Sequence, residues 1–122
     1  MEIGTTKRVT HRQLGQLRPA NTTAAAIFSP TENKPYHVHS VLIANTGSST
    51  IKVSLFHDTD GDTWDETTAI VWEAAIATDG YLHLTFERGI TGYHSAGSLG
   101  VKTDTADDAT FTVYGHIEGE RL

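Results

Sequence analysis

Residues 50–57 read TIKVSLFH and alternate apolar with polar side chains. Ile51, Val53 and Leu55 fall on one face of this octapeptide, and Lys52 and Ser54 fall on the other. A strand with one buried face produces this pattern, because successive side chains point to opposite sides of a sheet. The octapeptide therefore predicts a β-strand with one face packed against a core.

Six further segments resemble this one in composition or alternation and are separated by turns rich in Gly, Asp and Asn. They are residues 22–29, 36–45, 68–76, 81–87, 98–103 and 110–117. Residues 67–77 could also form a helix, but their β-branched content and period of two favour a strand. Short strands at regular spacing predict a single all-β domain, an antiparallel sandwich or barrel with seven to eight strands and almost no helix.

The same alternation divides the apolar side chains between a core and an outward face. The predicted core consists of Ile43, Ile51, Val53, Leu55, Ile70, Trp72, Leu84, Phe86, Val101, Phe111 and Val113. The outward faces carry Tyr36, Phe56, Tyr81 and Tyr114, together with Val71. Outward aromatic side chains are typical of protein interfaces and sugar platforms, unless the facing of a strand is reversed or a loop covers them. The residues predicted to contact a partner are Tyr36, Phe56 and Tyr81.

Composition excludes several classes of function. The 122 residues include no cysteine, which excludes disulfides, thiolate metal sites and a cysteine nucleophile. The net charge of −6 argues against general binding to nucleic acid. No stretch resembles a membrane helix or a signal peptide, so we expect no membrane partner and synthesis in the cytoplasm.

Charge is unevenly distributed along the chain. Residues 1–18 carry four basic residues and one acid, a net +3, whereas the other 104 residues net −9, which together give −6. Residues 1–20 hold few apolar side chains and predict an extended basic N-terminal arm before a domain at 21–122, although a frayed terminus would look the same. The arm residues expected to bind a partner are Lys7, Arg8, Val9, Arg12, Leu14, Leu17 and Arg18.

Two patterns suggest metal ligands. His37 and His39 would place two imidazoles on one face of a strand, as in the metal-binding cupins, but no glutamate follows closely. Residues 58–66 contain five acids, and Asp58, Asp60, Asp62 and Asp65 could converge on calcium.

The acidic stretch departs from a helix–loop–helix calcium loop. Gly61 stands fourth instead of sixth, and Ala69 occupies the place of the bidentate glutamate. A solvated acidic hairpin loop explains the same residues. No nucleophile elbow or phosphate-binding loop is present, so we predict that the protein is not an enzyme and needs no cofactor apart from this calcium hypothesis.

The order of features also resembles a family. The stretches that carry the resemblance are Leu14–Gln16, Pro19–Thr23, Asp60–Ile70 and Phe111–Glu118. Over residues 13–120 the chain resembles small bacteriophage virion proteins, which are structural or accessory proteins of the head or tail. The resemblance implies a jelly-roll-like β-sandwich that forms trimers and brings no catalytic residues.

The resemblance also implies a location and partners. Such proteins decorate or cement the outer surface of the capsid, and they contact the major capsid protein or another virion protein. The alternative is a receptor- or carbohydrate-binding module of a head fibre or tail, for which Trp64 in the acidic loop is the best aromatic candidate. A small cupin-like metalloenzyme is a remote third hypothesis.

Overall fold

A computed structural model describes residues 12–28, 36–58, 63–92 and 98–117. These residues form eight β-strands and no helix. The strands are β1 (Arg12–Leu17), β2 (Ala25–Phe28), β3 (Tyr36–Asn45), β4 (Ile51–Asp58), β5 (Ala69–Ile76), β6 (Tyr81–Gly92), β7 (Ser98–Thr103) and β8 (Ala109–Ile117). Within the described ranges, no helix is long and apolar enough to cross a membrane.

The strands form two four-stranded sheets in which every described pairing is antiparallel. Sheet A has the order β1-β8-β3-β6, and sheet B has the order β2-β7-β4-β5. Successive strands alternate between the sheets except at β4 and β5, which is the strand order of a jelly roll. The prediction of an all-β, jelly-roll-like sandwich is confirmed.

The core lies between the inner faces of the two sheets. Sheet A contributes Val41, Ile43, Phe111 and Val113, and sheet B contributes Ile51, Val53, Leu55 and Val101, all of them fully buried. Leu84 and Phe86 of β6 pack against this cluster while partly exposed. Nine of the eleven predicted core residues therefore contribute to the interior.

The predicted facing of β5 is wrong in its first half. Ile70 and Trp72 are 45% and 44% exposed, whereas Val71 packs against the core. The cause is a β-bulge, because Trp72 and Glu73 together lie opposite the single residue between Val53 and Leu55 of β4. An extra residue reverses the alternation of all residues on one side of it.

The predicted N-terminal arm is described from residue 12 onward, and this part lies on the sandwich. β1 pairs with β8, and Leu14 and Leu17 pack against the core cluster. Arg18 Nε donates a hydrogen bond of 2.8 Å to the carbonyl oxygen of Asp107. Residues 1–11 lie outside the described part, so the division at residue 20 stays a prediction.

Candidate functional site

The outer face of sheet B combines aromatic and charged side chains. We define it by the outward positions of β4 (Lys52, Ser54 and Phe56) and of β7 (Gly100 and Lys102). The sheet register places Lys102 opposite Ser54 and Gly100 opposite Phe56. Positions two apart on one strand are about 7 Å apart, so this face has an aromatic half directly beside a polar half.

Phe56 is the centre of the aromatic half. Its side chain is fully buried although it lies outside the sandwich core. Trp64 covers it from the loop before β5, with ring centroids 6.2 Å apart, and Trp72 covers it from β5 at 6.3 Å. Gly100 makes room for the Trp64 indole, because a Cβ at residue 100 would lie 2.5 Å from Trp64 Cε3.

The polar half is a shallow cleft of about 260 Å³. Its lining consists of Lys52, Ser54, Glu73, Lys102, Thr103 and Asp104. The bulge of β5 shapes one wall, because Glu73 has a φ of 49° and its amide donates a 3.0 Å hydrogen bond to Ser54 Oγ. Ser54 is only 3% exposed, and within the described residues its own hydroxyl proton has no acceptor.

The charged side chains of this cleft differ in whether they form hydrogen bonds with the rest of the described protein. Asp104 Oδ1 accepts hydrogen bonds from the Lys52 amide at 2.9 Å and from Thr105 Oγ1 at 3.0 Å. In the part of the chain that the structure describes, the side chains of Lys52, Lys102 and Glu73 make neither an ion pair nor a hydrogen bond. Two ammonium groups, one carboxylate and a buried hydroxyl are therefore available to a ligand beside the exposed Trp72.

The outer face of sheet A has a different character. Its outward positions are Gln13, Gln16, His37, Ser40, Leu42, Ala44, Tyr81, His83, Thr85, Thr110, Thr112, Tyr114 and His116. Among these positions, whose side chains the structure describes, none carries Lys, Arg, Asp or Glu, in a protein with a net charge of −6. The side chains of Glu87 and Arg88, which follow in β6, lie outside the described part. Depletion of charge with retention of tyrosine is typical of the centres of protein interfaces.

Three imidazoles meet on this face. His39 Nε2 lies 2.7 Å from His116 Nδ1, and the rings of His37 and His116 stack with centroids 4.7 Å apart. The bulge of β3 between Val38 and Ser40 turns His39 toward His116. Within the described ranges, no group of three or more His, Asp or Glu side chains is arranged to hold a metal ion.

The acidic loop is described only in part. Asp60 and Asp62 lie outside the described residues, so the calcium hypothesis stays a prediction. Asp58 Oδ2 accepts a 2.7 Å hydrogen bond from the Thr63 amide. Asp65 Oδ1 accepts hydrogen bonds from the hydroxyl of Thr67 at 2.6 Å and from its amide at 2.8 Å, and these bonds lower the pKa of the Asp65 carboxyl.

The three aromatic residues predicted to contact a partner do not meet. Tyr81 is 71% exposed on sheet A, whereas Phe56 is buried on sheet B beneath Trp64 and Trp72. Tyr36 is half-buried opposite Ile117, and it lies eight residues, about 27 Å, along β3 from the partner of Tyr81.

The predicted arm contacts also separate into two groups. Lys7, Arg8 and Val9 lie outside the described residues. Arg12 is exposed opposite Gly115, while Leu14, Leu17 and Arg18 make the intramolecular contacts described above.

Sequence reasoning did not identify the cleft on sheet B. Lys52 and Lys102 are fifty positions apart, and only the pairing of β4 with β7 brings them together. One signal was present in the sequence, because these are two of only five basic residues beyond residue 18.

Comparisons with known proteins identify the fold. No family model matches the chain. No curated protein matches it. The solved structure "CpGH89CBM32-6 produced by Clostridium perfringens" is 15% identical, covers 91% of this chain and 96% of its own, and has a TM-score of 0.51.

Two other solved structures are more distant. CBM35 from Paenibacillus barcinonensis is 7% identical over 90% of this chain and 93% of its own, with a TM-score of 0.35. A chain of infectious bursal disease virus Gx strain is 11% identical over 96% of this chain and 34% of its own, with a TM-score of 0.44. The structure with the TM-score of 0.51 supports the β-sandwich fold, and no phage accessory family is identified.

Proposed function

We propose that the protein is a structural component of a bacteriophage particle, a capsid decoration or cement protein that stabilises the head. It acts as a homotrimer without catalytic activity, and its partners are its own copies and the major capsid protein or another virion protein. It is synthesised in the host cytoplasm and resides on the outer surface of the virion.

The absence of charge among the described outward side chains of sheet A is the observation that carries this proposal. A surface of Thr, His, Tyr and Gln has no ionic groups to desolvate, so contact with a second protein costs little. Tyr81 and Tyr114 are 71% and 39% exposed and supply apolar area for such a contact. A solvated face of an acidic protein has no physical need to lack charge.

Charge placed on this face tests the proposal. Thr85 and Tyr114 are exposed there, so the double variant Thr85→Asp/Tyr114→Asp adds two carboxylates that any contact through this face would have to desolvate. Light scattering should give the wild type the mass of three 13.2 kDa chains and the variant the mass of one. The variant should also fail to bind purified particles of the phage that encodes it.

Ala75→Asp is the matched control, because Ala75 is exposed on β5 of the other sheet. This variant should remain trimeric and bind particles. A wild-type monomer, or a charged double variant that still assembles and binds, would contradict the proposal.

The second candidate function is a carbohydrate-binding module of a head fibre or tail. The favouring observation is Trp72, a large aromatic ring that is 44% exposed beside the cleft, whose Lys52, Lys102 and Glu73 side chains have no partner among the described residues. Retention of the protein on glycan-coated beads, with loss of retention in Trp72→Ala, would test this candidate.

A further inference from the structure

We infer that the cleft on the outer face of sheet B binds a carboxylated sugar, with Trp72 as the stacking platform and Lys52 and Lys102 as the carboxylate ligands. This inference rests on the second candidate function and names its ligand class. It concerns sheet B, so it is independent of the proposed contacts of sheet A.

Trp72 supplies the aromatic surface beside the cleft. The β5 bulge turns this side chain out of the core, and its ring meets Phe56 edge to face at 76°. Phe56 is thereby buried while Trp72 keeps an open surface. A fixed indole with an open surface can stack on the apolar C–H face of a sugar ring at small entropic cost.

Ser54 supplies a buried hydroxyl group in the lining of the cleft. This side chain is nearly fully buried, lines the cleft and has no acceptor for its hydroxyl proton in the described residues. Buried polar groups are normally satisfied, and a ligand oxygen in the cleft would satisfy this one. Glu73 can accept hydrogen bonds from sugar hydroxyls on the same wall.

Charge selects among sugars. Lys52 and Lys102 line the cleft without an ion pair in the described part of the chain, while Asp104 is already held by loop hydrogen bonds. Asp104 keeps its charge, so the lining carries two ammonium groups and two carboxylates, and the preference for a carboxylate rests on the two ammonium groups as hydrogen-bond donors. A sugar carboxylate forms charge-assisted hydrogen bonds with these ammonium groups, which a neutral sugar cannot form.

The experiment compares probes that differ in the carboxylate alone. Binding of tetragalacturonate and of its methyl ester is measured by calorimetry, with sialyllactose and its methyl ester as a second pair. We expect tetragalacturonate or sialyllactose to bind at least about tenfold more tightly than its neutral counterpart. Binding of the galacturonate probe would identify the ligand as a uronic acid, and binding of the sialyl probe would identify it as a sialic acid.

Single substitutions test which side chains of the cleft contact the sugar. Lys102→Gln should remove the preference for the carboxylated probe, and Trp72→Ala should weaken binding of both members of the pair by about tenfold or more. Ser48→Ala, in the exposed turn between β3 and β4 and outside the cleft lining, is the control and should bind like the wild type. Thermal unfolding of each variant verifies that the domain is folded.

Three results would overturn the inference. Equal affinity for acid and ester overturns carboxylate recognition and leaves the carbohydrate-binding candidate standing. Absence of binding by every sugar overturns both. Binding of poly-glutamate with the same affinity and the same loss in Lys102→Gln would identify the cleft as a general anion site.

Discussion

The rings of Phe56 and Trp72 meet edge to face, with centroids 6.3 Å apart and planes inclined by 76°. This contact joins β4 to the edge strand β5 on the outside of sheet B, where Phe56 is fully buried and Trp72 is nearly half exposed. Trp72 therefore covers one aromatic ring and presents another surface to solvent. The same residue serves both stability and the candidate binding site.

Because Trp72 is partly exposed, truncating it should lower the free energy of unfolding less than truncating a core aromatic residue. Phe111→Ala empties a fully buried site between the sheets and should cost about 3–5 kcal/mol. Trp72→Ala should cost clearly less, because almost half of the side chain already contacts water. Urea denaturation of both variants checks this order, and a larger loss in Trp72→Ala would place that side chain in the core.

Two glycines should respond differently to a methyl group. A Cβ at Gly115 would collide with the backbone carbonyl oxygen of His37, which is fixed in the β3–β8 pairing. The three atoms nearest to a Cβ at Gly100 all belong to the indole of Trp64, which can move aside. Gly115→Ala should therefore destabilise the domain more than Gly100→Ala.

Tryptophan fluorescence can detect displacement of the Trp64 indole in Gly100→Ala. The chain has two tryptophans, so a Trp72→Phe background leaves Trp64 as the only indole emitter. Gly100→Ala in this background should shift the emission to longer wavelength, while an unchanged spectrum would mean that Trp64 does not lie on Gly100.

The bulge of β5 holds the backbone of Glu73 in a conformation that is strained for a residue with a side chain. Its φ of 49° lies in the left-handed region, which glycine adopts freely and β-branched residues avoid. Glu73→Gly should remain within about 1 kcal/mol of the wild-type stability, because relief of strain offsets the entropy of glycine. Glu73→Val should be more destabilising, and equal stabilities of the two variants in thermal unfolding would argue against the bulge.

The hydrogen bonds from Thr67 lower the pKa of the Asp65 carboxyl below its ordinary value of 3.8. A lowered pKa means that Asp65 contributes stability above pH 3.8 and loses it as the pH falls through the folded-state pKa. Thr67→Val removes the hydroxyl and keeps the amide, so the pKa should rise part of the way toward 3.8.

Carboxyl-carbon NMR titration measures this pKa directly. Thr67→Ser keeps the hydroxyl and serves as the control, with a pKa like that of the wild type. An unchanged pKa in Thr67→Val would show that the hydroxyl does not stabilise the carboxylate.

Alternation in the sequence was sufficient to predict most of the fold. β3 and β7 have the predicted bounds, because each is bounded by turn residues and has one clearly apolar face. The facing of Ile70 and Trp72 could not be read, because the bulge depends on Glu73, a residue type that does not mark left-handed backbone. The burial of Phe56 was equally hidden, since it depends on Trp64 and Trp72 from elsewhere in the chain.

The N-terminal segment gave the least information in advance. Its low apolar content predicted an arm, yet Leu14 and Leu17 are sufficient to join the core once β8 supplies an edge to pair with. Only the tertiary fold reveals that edge. The cleft on sheet B was unpredictable for the same reason, since Lys52 and Lys102 meet through strand pairing.

Truncations separate the structural and partner-binding roles of this segment. Deletion of residues 2–11 removes Lys7 and Arg8 and leaves β1 intact. We expect this variant to unfold at the wild-type temperature and, if these cations bind an acidic partner surface, to attach to particles more weakly, with the difference diminishing as salt rises.

Deletion of residues 2–18 also removes β1, exposes the edge of β8 and takes Leu14 and Leu17 from the core. It should therefore destabilise the domain by several kcal/mol, as loss of two core leucines implies. Calorimetric unfolding measures the stability of the two truncated proteins, and co-sedimentation with particles measures their attachment. If both variants were as stable as the wild type, β1 would not be an integral strand; if the shorter deletion bound particles fully, Lys7 and Arg8 would not contribute to attachment.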